Sequence, residues 1–132
     1  MFSSNRQDWK TPIDTYNELD REFHFDFDPC PPNPKFGEHA LFVEWGGSNF
    51  INPPYNQIGK FLEKGWVESR KGKTCVFLIP SRTDTKWWHE YCMKADRIIF
   101  IKGRLKFQGA KNGAPFPSCV VIFKGDAIRE AN

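Results

Sequence analysis

The chain of 132 residues carries 19 basic and 16 acidic side chains, a net charge of +3, with 39% hydrophobic and 16% aromatic residues. So many aromatics with so little net charge exclude intrinsic disorder, and the length predicts one domain with a real core. No uncharged apolar stretch reaches the roughly 18 residues a membrane span needs, and the polar start Met1–Asp8 lacks the apolar run of a secretory signal, so a cytoplasmic protein is expected.

The first predicted element is a helix. Thr11-Pro12-Ile13-Asp14 supplies an N-cap, a proline at the first helical position and an early acid, and Ile13, Tyr16, Leu19 and Phe23 recur at helical spacing. Phe23-His24-Phe25-Asp26-Phe27-Asp28 then alternates aromatic and polar residues, which predicts a strand with one apolar face. The prolines between Pro29 and Pro34 stop it. Ala40 to Val43 reads as a short strand and Trp45-Gly46-Gly47 as a turn. Asn49-Phe50-Ile51 is a short buried strand that runs into Asn52-Pro53-Pro54-Tyr55-Asn56. Ile58, Phe61, Leu62, Trp66 and Ser69 mark one face of a helix ending at Lys71-Gly72.

Thr74 to Ile79 is an apolar run without a break, the pattern of a central strand covered on both faces. Trp87, Trp88, Tyr91, Cys92 and Ala95 predict another helix face. Arg97 to Ile101 is a strand, Arg104 to Phe107 a further extended piece, Gln108 to Pro117 a Gly/Pro-rich loop, and Ser118 to Phe123 the last strand. The expected domain covers 1–132, with 1–8 and 126–132 as frayed ends. Strands alternating with helices imply an α/β fold with a mainly parallel sheet and helices on both faces. The last two strands are joined without a helix, so the C-terminal strand is expected to be antiparallel. In such sheets ligands sit at the carboxyl ends of the strands, where both proline clusters fall.

Charge and cysteine placement add detail. From Arg97 to Lys124 there are six basic residues and no acid, an asymmetry that favours a nucleic-acid partner more than the net charge does. Cys75 and Cys119 lie in apolar runs and read as small buried hydrophobes, and no C-x-x-C pair occurs. His89 and Cys92 share a helix face, but no second pair completes a tetrahedral site, so no metal is expected.

The chemistry concentrates in Asn52-Pro53-Pro54-Tyr55. Adjacent prolines fix the backbone and remove two donors, which holds the Pro53 carbonyl outward. The Asn52 amide supplies a second acceptor, and Tyr55 a flat aromatic face. Two fixed acceptors beside a stacking face suit a planar heterocycle with an exocyclic amine, such as adenine with its N6 hydrogens. Accepting both hydrogens draws that nitrogen's lone pair out of the ring and makes it nucleophilic. Alone, the tetrapeptide would read as a proline-rich turn. Here it follows a buried strand and precedes an amphipathic helix.

Four stretches together resemble the phage-type DNA N6-adenine methyltransferase (Dam) family: Trp9-Lys10-Thr11-Pro12, Phe25-Asp26-Phe27-Asp28-Pro29-Cys30, Phe50-Ile51-Asn52-Pro53-Pro54-Tyr55, and Ile101-Lys102-Gly103-Arg104-Leu105-Lys106-Phe107. The resemblance runs from about residue 9 to 123 and implies a small Rossmann-like methyltransferase fold that uses S-adenosylmethionine. It implies that Asn52, Pro53, Pro54 and Tyr55 hold a flipped-out adenine, with Tyr55 stacking on it. It further implies that Trp9, Thr11, Pro12, Asp28, Pro29, Cys30 and Asn52 contact the cofactor. DNA is the expected partner. Arg82, Lys102, Arg104, Lys106 and Lys111 are the expected phosphate contacts and Gln108 a reader of base edges. Dimerising would enlarge the footprint of so small a DNA enzyme. The sequence departs from the family pattern after Asp28, where no glycine occurs until Gly37, and no acid for the cofactor ribose is evident; Asp28 or Glu44 could fill that place. Alternative readings keep the motif but change the substrate to RNA or a protein glutamine, or make the chain a degenerate DNA-binding relative.

Overall fold

The computed structural model describes residues 10–31 and 39–125. Helix α1 spans Ile13–Phe23. Its N-cap position is Pro12, not Thr11, and no side chain caps the first turn. Thr11 stands one residue before the N-cap, and its hydroxyl bonds elsewhere, as described below. At the other end His24 adopts φ 50°, its N–H returns to the Asp20 carbonyl, and Asp20 Oδ1 takes the Phe25 N–H at 2.8 Å.

The strand expected over Phe23–Asp28 is reduced to one rung, Phe27 paired in parallel with Asn49. The reason is local. Phe23 belongs to α1, His24 turns the chain, and the N–H groups of Asp26 and Phe27 converge on one acceptor, the Ser48 carbonyl, at 2.8 and 3.2 Å. The short strand expected at Ala40–Val43 is likewise corrected: His39–Phe42 is a 3₁₀ turn.

Strands β1 (Ser48–Ile51), β2 (Thr74–Pro80), β3 (Arg97–Phe100) and β4 (Ser118–Phe123) form one sheet in the order β1-β2-β4-β3. β1 and β2 are parallel, and β4 runs antiparallel to both β2 and β3. Three strands therefore point one way and the C-terminal strand runs back between β2 and β3, as the helix-free final connection requires. The chain is an α/β protein with the small Rossmann-like fold. The extended piece at Arg104–Phe107 joins no strand of the sheet; its place is in the loop leading to β4.

Helix α2 covers Ile58–Ser69 and α3 Lys86–Glu90. The single helix expected from Trp87 to Ala95 breaks after Glu90 and resumes as a 3₁₀ turn, Cys92–Lys94. Alternate strand residues divide between two cores. Ile51, Phe77, Ile79, Val121 and Phe123 pack with Phe61 and Leu62 of α2 and Trp88 of α3. Phe50, Val76, Leu78, Val120 and Ile122 pack with Leu19 of α1 and with Phe107, Ala114 and Phe116 from the loop before β4. Helices thus lie on both faces, but a loop completes one of them.

The α2–sheet contact is close enough to test. A Cβ at Gly65 would stand 2.5 Å from two atoms of the Phe77 ring, which is fully buried and packed edge-on against Phe123 at 5.8 Å. Gly65→Ala is expected to destabilise the fold by about 1–3 kcal/mol, although alanine is the better helix former. Urea unfolding measures this. An unchanged midpoint would mean that the helix moves off the ring at no cost.

Opposite the strand carboxyl ends, Glu68 in the last turn of α2 is fully buried. Its carboxylate meets Lys64, Lys71 and Lys73 at 3.1, 3.0 and 2.5 Å and accepts the Trp45 N–H at 3.0 Å. Lys71 and Lys73 also reach the exposed Glu44. The cluster ties the turn before β1 to the end of α2.

Candidate active site

The carboxyl ends of the Phe27 rung, β1 and β2 share one edge, because these segments run parallel in neighbouring positions. β4 starts at the same edge, with Ser118 opposite Pro80 and the Ser81 N–H on the Pro117 carbonyl at 2.9 Å.

Asn52 leaves β1 directly from the buried Ile51. Its amide Nδ2 donates to Thr11 Oγ1 at 3.0 Å, across 41 residues of chain. The Oδ1 acceptor is therefore on the other branch of the amide. Pro53 is buried, Pro54 half-buried at φ −59°, and the Gln57 N–H closes on the Pro54 carbonyl at 2.9 Å. That bond forms the 3₁₀ turn Tyr55–Gln57, which leads into α2. The half-buried Tyr55 ring meets Phe116 at 5.3 Å and 70°, and Phe116 in turn packs on Phe107 at 6.2 Å. The sequence left Phe107 and Phe116 unassigned. They brace the tyrosine of the motif, and nothing local in the sequence signals a contact made across some 60 residues.

The neighbouring loop is Asp28-Pro29-Cys30. The Cys30 N–H donates to Asp28 Oδ1 at 2.8 Å, so the carboxylate folds the loop over itself. Asp28 is solvent-accessible by surface area, yet the protein crowded around its carboxyl pushes its pKa up to about 6, against the lowering effect of the Cys30 N–H. At neutral pH it is mainly ionised. Burial, with the Asp28 charge behind it, also raises the Cys30 thiol, which stays protonated.

Arg82, Lys102, Arg104, Lys106 and Lys111 are all exposed. Arg104 also donates to the Ala114 carbonyl at 3.3 Å. Gln108 is exposed too, but its Nε2 donates to the Thr11 carbonyl at 2.6 Å and its backbone N–H to the Lys10 carbonyl at 3.0 Å. Thr11, Asn52 and Gln108 are thus brought together. Trp9 lies outside the described residues. Glu44 is corrected as a ribose candidate: it is ion-paired to Lys71 and Lys73 at the amino ends of the strands, the wrong side of the sheet. At the other singled-out pair, His89 places a ring nitrogen 2.8 Å from the Thr83 carbonyl, and Cys92 is buried in the core.

A small α/β domain with its polar side chains gathered at the strand carboxyl ends defines a ligand-binding class of protein. A family model described as DNA N-6-adenine-methyltransferase (Dam) matches residues 1–125, and the chain belongs to that family. It is an enzyme that methylates DNA, with S-adenosylmethionine as the methyl donor. No curated protein matches the sequence significantly. Among the described residues no helix is long and apolar enough to cross a membrane.

The edge suits this cofactor chemically. S-adenosylmethionine is a sulfonium with an ammonium group and ribose hydroxyls, so it is cationic and rich in donors. The loop offers the Asp28 carboxylate, held up by crowding and therefore stabilised by an incoming positive charge.

Proposed function

We propose that this chain transfers a methyl group to the N6 amine of adenine in DNA, working as a single methyltransferase domain in the cytoplasm of a bacterial cell or a phage-infected host. The observation that carries this reading is Asn52. Its Nδ2 is committed to Thr11 Oγ1 at the carboxyl end of β1, directly before two prolines and a braced tyrosine.

Asn52 Oδ1 and the Pro53 carbonyl accept the two hydrogens of the adenine amine. Pairing with both draws the nitrogen toward tetrahedral geometry and concentrates its lone pair for attack. Tyr55 stacks on the base, and Phe116 keeps its ring from swinging away. Because N6 is inaccessible to these residues within a duplex, the adenine is flipped out. S-adenosylmethionine would supply the electrophilic methyl and leave as a neutral thioether, and the methylated amine then gives up one proton to water. Thr11, Pro12, Asp28, Pro29 and Cys30 belong to the loops around it, with Asp28 taking a hydroxyl or ammonium hydrogen, and Trp9 is assigned to the cofactor by the family resemblance alone. The chain's part is to hold amine and methyl donor in line, and positioning of this kind supplies much of a transfer enzyme's acceleration.

Arg82, Lys102, Arg104, Lys106 and Lys111 hold phosphates. Their support is exposure together with the lack of any acid between Arg97 and Lys124.

The test is transfer of a labelled methyl group from S-adenosylmethionine to unmethylated duplex DNA, followed by digestion to nucleosides. The expected label is N6-methyladenine. Cofactor binding without labelled DNA would point to RNA or protein glutamine as acceptor. Absence of cofactor binding would favour a degenerate DNA-binding relative.

A further inference from the structure

A side-chain amide has two branches of nearly equal shape, and only their partners decide which way its oxygen faces. If Asn52 is to accept a hydrogen from an amine, Oδ1 must face the substrate and Nδ2 must have an acceptor behind it. An amide turned over would set its own hydrogens against those of the amine. Thr11 Oγ1 is that acceptor, at 3.0 Å. Thr11 stands one residue before the N-cap of α1, and its hydroxyl serves Asn52.

Thr11 is itself held from a third segment. Gln108 Nε2 donates to its carbonyl at 2.6 Å and the Gln108 N–H donates to Lys10 at 3.0 Å, a two-point clamp on consecutive residues. Gln108 sits on a tight turn: Ala110 N–H closes on the Phe107 carbonyl at 3.0 Å, and Gly109 takes φ +83°. Phe107, buried in the core, anchors that turn. Lys106 and Lys111 flank it.

We propose that Thr11 and Gln108 are positioning residues for the Asn52 amide: Thr11 anchors the amide through its Nδ2 at the end of β1, and Gln108 fixes the backbone from which Thr11 reaches it. The proposal rests on the reading of Asn52 as the group that holds the substrate amine. It also gives the basic loop a second task. The segment carrying Lys106 and Lys111 is two hydrogen bonds from Asn52, so a shift of this loop changes the orientation of the amide that receives the base.

Two readouts test this: steady-state transfer, and the NMR signals of the Asn52 side-chain NH₂, assigned by their loss in Asn52→Asp. Thr11→Val keeps the shape of the side chain and removes the hydroxyl. It is expected to lower kcat about 30- to 100-fold, the scale of a misplaced reacting group. KM for DNA should stay within about twofold of wild type, since binding of the duplex is not what is lost. The Asn52 NH₂ signals should move and exchange faster with water. Thr11→Ser retains the hydroxyl and should keep kcat within about threefold and the signals in place. Gln108→Ala should lower kcat about fivefold, as expected for one exposed hydrogen bond, and shift the same signals part of the way. Should Thr11→Val not fold, Gln108→Ala carries the test.

Wild-type kcat in Thr11→Val would overturn the proposal. So would a loss confined to the KM for S-adenosylmethionine with the Asn52 signals unmoved, which would make Thr11 a cofactor contact only. If the wild-type enzyme labels no DNA, the function reading fails by itself. The spectra then decide separately: displaced Asn52 signals support the positioning role, and unmoved ones overturn it.

Discussion

Asn52→Ala is expected to lower methyl transfer about 100- to 1,000-fold, the scale on which a preorganised polar group contributes to a transition state. The amide acts only when the amine's lone pair is being freed, so the loss should appear in kcat far more than in KM. Folding should survive. The core contact at this point is made by Ile51, and Asn52 is only half-buried at the strand end. Circular dichroism and cofactor binding near wild type, with transfer nearly abolished, is the expected combination. Asn52→Asp supplies an informative contrast. A carboxylate still accepts hydrogens, and Thr11 can donate to it, so this variant should retain clearly more activity than Asn52→Ala. Equal activity in Asn52→Ala and wild type would remove the amide from the mechanism.

The second large effect concerns stability. Burial alone would raise the Glu68 carboxyl, but Lys73, the Trp45 N–H, Lys71 and Lys64 together hold it down at about 2, against an ordinary 4.5. A carboxyl depressed in the folded state contributes stability above its unfolded value and loses it as pH falls through the folded value. Wild-type stability should therefore drop by about 2–3 kcal/mol between roughly pH 4.5 and 2 on account of this group. Glu68→Ala leaves Lys73 beside an empty hole and the buried Trp45 N–H without its acceptor. It should cost about 3–5 kcal/mol at neutral pH, the usual result of removing one partner from a buried ion pair. Glu68→Gln removes the charge and keeps the shape. The difference between its acid-unfolding curve and that of wild type isolates the Glu68 contribution. If the two curves run parallel from pH 7 to 2, the cluster does not act as described.

The elements legible in the sequence were those whose stability is local or whose pattern is long. The apolar run Thr74–Ile79 could only be an inner strand, and β2 runs from Thr74 to Pro80. Ile58, Phe61 and Leu62 marked the buried face of α2. The antiparallel β4 followed from a connection without a helix. The misread segments were those in which a distant partner outbids local preference. Phe25 and Phe27 alternate like a strand, but a left-handed His24 and a shared acceptor at Ser48 leave a single rung. Thr11 looks like a helix cap, but the N-cap is Pro12 and the Thr11 hydroxyl bonds Asn52, far along the chain. The motif Asn52–Tyr55 was visible because prolines write their constraint into the sequence itself. Its support from Thr11, Gln108 and Phe116 was not, since each of those contacts exists only once the sheet has formed.

The loop that completes one face of the sheet sets how freely this enzyme can change. From Arg104 to Phe107 and again from Ala114 to Ser118, exposure alternates residue by residue: Phe107, Ala114, Phe116 and Ser118 point into the core, while Arg104, Lys106, Pro115 and Pro117 point out. The loop keeps the rhythm of a strand without belonging to the sheet. Its inward positions are committed to the hydrophobic interior and resist substitution. Its outward positions are not part of that interior, so substitutions there change the charge the loop offers to DNA and leave the core in place. A combinatorial library confined to the outward set would explore new surface chemistry on an unchanged scaffold, whereas one that included Phe107 or Phe116 would consist mostly of unfolded protein.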